Sequence, residues 1–284
     1  MKKTWGLISL VCIFSCGDQT SLREIGTLER GEVSAIQYVN GTAALWALED
    51  SGNENVLYKI GDKGEVLEQV TVANATNTDW EALASDTDGN LYIGDFGNND
   101  NKRKDLAIYR IAAGRPDSAV AKIEFYYPEQ GDFPPKKSNL VFDCEAFFEL
   151  DGNFYLFTKN RSSKFDGSFS VYRLPNQEGR HKAVHIANLK SCTHYNRCSI
   201  TDADISPDGK QAVLLSGDKI FIIEDFGKGL LTNDRLTTYE LGHLSQKEGV
   251  CFRDDNTILI ADEKDKHTGG KLYELELDKL KAKH

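Results

Sequence analysis

Beyond its first 15 residues this 284-residue chain has no apolar run long enough to cross a bilayer as a helix, for which about 20 residues are needed. Nor has it an excess of positive charge: 34 Lys and Arg stand against 44 Asp and Glu, a net charge of −10 with His neutral. Such a surface repels a polyanion, so nucleic acid is not an expected partner. The signatures HExxH and GxSxG are absent, as is a phosphate-cradling glycine loop. The common metallopeptidase, α/β-hydrolase and P-loop readings therefore have no support. Histidine is scarce, at 6 residues, and the Cys and His spacings match no common zinc pattern.

The N-terminus, "MKKTWGLISLVCIFSCGD", places Lys2 and Lys3 before an apolar run from Leu7 to Phe14, then Ser15 and Cys16. That order is an export signal, too short to be a membrane-spanning helix. "IFSC" resembles a bacterial lipobox, with cleavage after Ser15 and lipid on Cys16, although Phe14 departs from the small or β-branched residue usual there. An ordinary signal peptide cut nearby is the alternative, and both put the mature chain outside the cytoplasm. Gly17 follows Cys16 and Asp18 comes only after it. By resemblance to lipoprotein sorting rules this favours the outer membrane of a Gram-negative-type envelope, facing the periplasm or the cell surface. The expected organisation is a signal peptide over 1–15, a lipidated tether over 16–21 and a single domain over 22–284. Losing Lys2 and Lys3 with the signal takes the net charge from −10 to −12.

Besides Cys16, the exported chain keeps Cys144, Cys192, Cys198 and Cys251. "CTHYNRC" is a polar loop, and an oxidising compartment predicts a disulfide between Cys192 and Cys198. Cys144 and Cys251 lie in apolar strand contexts and read as small buried residues.

A divergent repeat runs through the rest. "VSAIQYV", "DWEALAS", "CEAFFEL", "TDADIS" and "KEGVCFR" share an acid or hydroxyl, then Ala or Gly, then mostly apolar residues. The key positions are Ser34, Glu81, Glu145, Asp202 and Glu248, spaced by 47, 64, 57 and 46 residues, close to the length of a four-stranded propeller blade with its loops. Turn signals such as "DTDGN", "LDGN" and "SPDGK" separate first from second strands. The last repeat ends without a fourth strand, and "LREIGTL" over 22–28 supplies it. The prediction is all-β: a five-bladed β-propeller of four-stranded blades, closed by the N-terminal strand, because no repeat exists to build a sixth blade. Closure of this kind also hides sheet edges that invite aggregation.

Over roughly residues 22–277 the ordered motifs "SAI", "DWEAL", "CEAFF", "TDADI" and "KEGV", with "LYIGDFGNN" and "FTKNR", resemble the SdiA-regulated propeller family of envelope proteins. More distantly they resemble the phytase-like esterase propellers. The resemblance implies a propeller, an envelope location and a divalent cation in the axial channel, and brings no settled activity.

First strands line a propeller's channel, so Glu81, Glu145, Asp202 and Glu248 are expected to form a ring of four carboxylates, completed by Ser34. Asp79 and Asp143 begin two of these strands. The loops between second and third strands overhang the ring and add Asp50, Asp95, Asn98, Lys159, Arg161, Asp262 and Glu263 as candidate ligand-binding residues. Like charges crowded at a mouth need relief by raised pKa values, by cations or by a metal. An oxygen-rich, histidine-free lining suits calcium. Two alternatives stand beside it: Lys159 and Arg161 neutralise the ring internally, or the carboxylates cap backbone N–H groups at blade starts. Three functions follow. The first is a lipid-anchored propeller binding calcium and a small ligand or envelope protein at its acidic face. The second is a calcium-dependent hydrolase of ester, lactone or phosphoester bonds, with Glu81 or Glu145 as base. The third is a structural partner in an outer-membrane assembly.

Overall fold

The computed structural model describes residues 22–265 and 268–282. Cys16, with the signal peptide and the tether, lies outside the described residues.

Five antiparallel sheets make five blades in a ring, a five-bladed β-propeller. Blade 1 runs Val33–Val39, Ala44–Glu49, Val56–Ile60 and Val66–Thr71. Blade 2 runs Trp80–Ser85, Leu91–Asp95, Ala107–Ile111 and Ala119–Tyr126, and blade 3 runs Asp143–Leu150, Asn153–Lys159, Ser168–Pro175 and Val184–Lys190. Blade 4 runs Asp202–Ile205, Gln211–Leu215, Lys219–Glu224 and Leu236–Glu240. Blade 5 has Lys247–Phe252, Thr257–Asp262 and Lys271–Glu276, and its fourth strand is Arg23–Thr27, paired antiparallel with Lys271–Glu276. The N-terminal strand thus closes the ring. One strand was not foreseen: Gly179–Lys182 joins the outer edge of blade 2 in parallel, pairing with Ile123–Tyr126. Its residues are polar and lack the apolar alternation that marks a strand in sequence.

Strand periodicity explains the packing. Successive side chains point to opposite faces of a blade. In blade 1, Leu45 and Ala47 face blade 5 while Trp46 and Leu48 face blade 2. The core is accordingly five apolar layers, one at each seam between neighbouring blades. The layers flanking blade 3 are aromatic, with Phe147 edge-on to Phe96 and Phe148 edge-on to Phe226. Trp80 is fully buried at the seam of blades 1 and 2, its indole donating to the Thr76 carbonyl at 2.9 Å.

Closure depends on a glycine. Gly26 passes so near the blade 1 loop that a Cβ there would lie 2.2 Å from the Lys63 carbonyl oxygen. Flanking bonds fix the crossing: Thr27 N–H donates to Lys63 O at 3.0 Å and Leu28 N–H to Gly270 O at 2.8 Å. Leu22 and Leu28 are buried in the two seams on either side of blade 5.

Candidate functional site at the axial mouth

Register brings the acids together. Asp143 lies opposite Lys159, Trp80 opposite Asp95, Lys247 opposite Asp262 and Val33 opposite Glu49. The starts of first strands and the ends of second strands therefore share one face, here called upper. In blades 1, 2, 3 and 5 the pairing register slips at Ser34, Glu81, Glu145 and Glu248, so each is the extra residue of a β-bulge. A bulge re-aims its side chain, and barrel rims and active sites favour it. Blade 4 pairs regularly through Asp202, which marks it as different.

The carboxylates fall into two groups. The first is engaged within the protein. Asp202 is fully buried, accepting from Ala203 N–H at 2.8 Å and from Val250 N–H of blade 5 at 2.7 Å. Asp143, equally buried, accepts from Asn98 N–H of blade 2 at 2.7 Å and pairs with Arg161. Glu145 is held by both Lys159 and Arg161. Asp95 accepts from Asp79 N–H at 3.0 Å and pairs with Arg103 at 3.0 Å. Asp262 accepts from Lys271 N–H at 2.6 Å and from the Tyr273 hydroxyl at 3.0 Å. Ser34 donates to the Trp80 carbonyl at 3.2 Å, Glu263 accepts from Gln246, and Asp50 accepts from Asn53 at 3.3 Å.

The second group is open. Among the described residues Glu81 and Glu248 have no hydrogen-bond or ion-pair partner, and both keep solvent contact. Burial raises Glu81 well above the ordinary carboxylate range, reinforced by Glu145, Asp143 and Asp79. Burial raises Glu248 to about 7 against the pull of Lys159. Asp79 stands beside Glu81 across a gap that only a glycine leaves. A Cβ on Gly97 would lie 2.4 Å from Glu81 Oε1 and 2.5 Å from Asp79 Oδ2. Asn98 is 2 % exposed, and its Oδ1 accepts from Arg103 N–H at 2.8 Å while its Nδ2 is buried without a partner among the described residues.

Lys159 and Arg161 are central. Burial works against the charge of Lys159, but Glu145 and then Glu248 outweigh it and raise the ammonium above its usual value. Both cations, with Tyr195, Ser245, Lys247 and Glu248, line a cavity of about 400 Å³ between the upper loops of blades 3, 4 and 5. Lys247 is the feature that sequence reasoning missed. It is fully buried and donates to the His243 carbonyl at 2.8 Å and Ser245 Oγ at 2.7 Å, and burial lowers it to about 8. Its position immediately before Glu248 was the only signal available.

The expected ring of four equivalent metal-binding carboxylates is therefore divided. Asp202 serves the seam, Glu145 is neutralised internally, and only Glu81 and Glu248 remain open. Among the described residues no three His, Cys, Asp or Glu side chains converge as a metal-ligand group. Glu145, doubly paired, is not available as a free base. Cys192 and Cys198 are joined as a disulfide with Cα atoms 5.4 Å apart, while Cys144 and Cys251 are free and buried.

No protein-family profile matches the chain, and no curated protein matches it by sequence. Among solved structures it is similar to the PQQ-bound form of an aldose sugar dehydrogenase from Streptomyces coelicolor. Identity there is 10%, coverage is 89% of this chain and 96% of that one, and the TM-score is 0.51. It is also similar to a gluconolactonase from Xanthomonas campestris, at 11% identity, 90% and 89% coverage and a TM-score of 0.45. The likeness is one of fold. The resemblance to the SdiA-regulated family stands on its motifs alone.

Proposed function

We propose that this chain is an envelope-anchored binding propeller. Its upper axial mouth takes a small polar ligand together with a divalent cation, calcium by preference. The reading rests on Glu81 and Glu248, open carboxylates at a mouth where Asp95, Asp143, Glu145 and Asp202 are each engaged within the protein and where the charge of Lys159 acts on both. Carboxylates whose pKa values are raised by burial and by like charge in a cleft are candidates for a functional site. Glu81 and Asp79 would hold the cation at the gap beside Gly97, where a hard oxygen pair suits calcium and solvent completes its shell. The cation would supply counter-charge and a Lewis-acidic contact for a ligand oxygen. Lys159 and Arg161, fixed by Glu145 and Asp143, present N–H donors into the 400 Å³ cavity. Tyr195 and Ser245 add hydroxyls along its wall.

Anchoring belongs to the same proposal and rests on the order of basic residues, apolar run and Cys16 in the sequence. The test of the site is thermal unfolding of metal-free protein with calcium and with chelator, in wild type and Glu81→Gln. Calcium should stabilise only the wild type, and a wild-type melt indifferent to calcium overturns the cation.

A second reading is favoured by Glu248 specifically. An open carboxylate facing two cations could accept a proton from water while Lys159 and Arg161 stabilise the oxyanion of an ester or lactone. Turnover of such substrates that Glu248→Gln abolishes without loss of ligand binding supports hydrolysis. Absence of turnover across an ester, lactone and phosphoester screen leaves binding as the function.

A further inference from the structure

The channel has a second mouth. On the face opposite the acids, the hairpins that join first to second strands surround a cavity of about 480 Å³, to which every blade contributes. Gln37, Ser85, Glu149, Asp204 and Phe252 stand around it, one from each blade in order. No repeat motif singled out these residues, because they lie at the ends of the first strands and not at their starts.

Gln37 is 3 % exposed. Its Nε2 donates to Ser85 Oγ at 3.2 Å and to the Tyr38 carbonyl at 3.3 Å, and its Oε1 is buried without a partner among the described residues. A buried acceptor left unmade costs about 1–3 kcal/mol, so natural proteins supply a donor from elsewhere. The wall around it is acceptor-rich. Asp86, Asp88, Glu149, Asp151 and Asp204 line the cavity against one arginine, Arg110. Backbone donors fix two of these acids: Glu149 Oε1 accepts from Gly152 N–H at 2.7 Å and Asp204 Oδ2 from Phe252 N–H at 2.8 Å. The orientation of both carboxylates is thereby set before any ligand arrives.

We infer that this lower mouth is a second binding site, for a small organic cation with several N–H donors, of the diamine or polyamine class. An ammonium group supplies what the cavity lacks: donors for Gln37 Oε1 and positive charge for the carboxylates. The volume falls within the usual range for small-molecule sites, roughly 300–1,000 Å³.

Isothermal titration of the purified full-length protein with spermidine, at constant ionic strength, tests the inference. One saturable site per chain is expected. Gln37→Leu should weaken it at least tenfold and Glu149→Gln severalfold, while Glu81→Gln, on the other face, leaves it unchanged. Hexane-1,6-diol, of similar shape but neutral, should not compete. No saturable binding to the wild type, full binding by Gln37→Leu, or loss in Glu81→Gln each overturns the site. Competition by the diol overturns the cationic class. If Gln37→Leu fails to fold, Glu149→Gln decides alone, and unchanged affinity there is refutation.

Discussion

Replacing Arg161 by Met, similar in length but uncharged, removes what is, among the described residues, the only salt-bridge partner of Asp143 and one of two for Glu145. Glu145 keeps Lys159, and Asp143 keeps the Asn98 N–H but is left fully buried without counter-charge. Breaking a buried pair from one side costs about 3–5 kcal/mol. The Arg161 side chain is 25% exposed, so solvent screening places the loss at the low end, about 3 kcal/mol. At roughly 2–4 °C per kcal/mol for a domain of this size, the melting temperature should fall by about 6–12 °C. The loss should depend on pH. Burial, then Glu145, already raises Asp143 above its unfolded value, near 3.9, with Arg161 opposing. A carboxyl raised in the folded state contributes stability that is complete below the unfolded value and is lost as pH rises through the folded one. Without Arg161 the folded value climbs further. The deficit of Arg161→Met against wild type should then be largest near pH 8 and shrink toward pH 5, where Asp143 can be neutral. Circular-dichroism melts at both pH values measure this. An equal deficit at the two, or none at pH 8, would show that Arg161 does not compensate Asp143.

Gly26→Ala should cost about 1–3 kcal/mol in urea unfolding, because its Cβ would meet the Lys63 carbonyl at 2.2 Å, and an unchanged midpoint refutes the close crossing. Deleting residues 22–28 should lower the melting temperature far more than Gly26→Ala does, since it exposes the outer edge of blade 5; equal effects would count against closure by this strand. Calcium at 100 times its Kd should stabilise the wild type by about 2.7 kcal/mol, and Glu81→Gln should erase that gain. Fatty-acid analogue labelling should mark the wild type and spare Cys16→Ala; label on the variant excludes Cys16 as the anchor.

The five blades were legible because each first strand carries its own copy of one motif, and the closing strand because the last repeat stops short. Strand order alone put the starts of the first strands and the loops after the second strands on one face. What could not be read was which acid each partner engages. The carboxylate of Asp202 meets a backbone N–H at Val250, in the next blade, and local spacing says nothing of it. The same limit hid the double pairing of Glu145, since Lys159 and Arg161 look alike as cations of an overhanging loop. Both alternatives to a metal are seen: Asp202, Asp143 and Asp95 accept from backbone N–H groups, Lys159 and Arg161 neutralise Glu145, and Asp143 takes part in both. The lower mouth left no trace because hairpin tips such as "DTDGN" and "SPDGK" are ordinary turn composition.

The closing strand also orders events in time. Arg23, among the first residues of the domain to be synthesised, pairs with Glu274, 251 residues later. At roughly 5–20 residues per second, translation separates the two by about 13–50 s. Throughout that interval the ring cannot shut and its earliest strand has no edge to join. Closure therefore waits on synthesis of the last blade, and the ring stays open for as long as that blade is unmade.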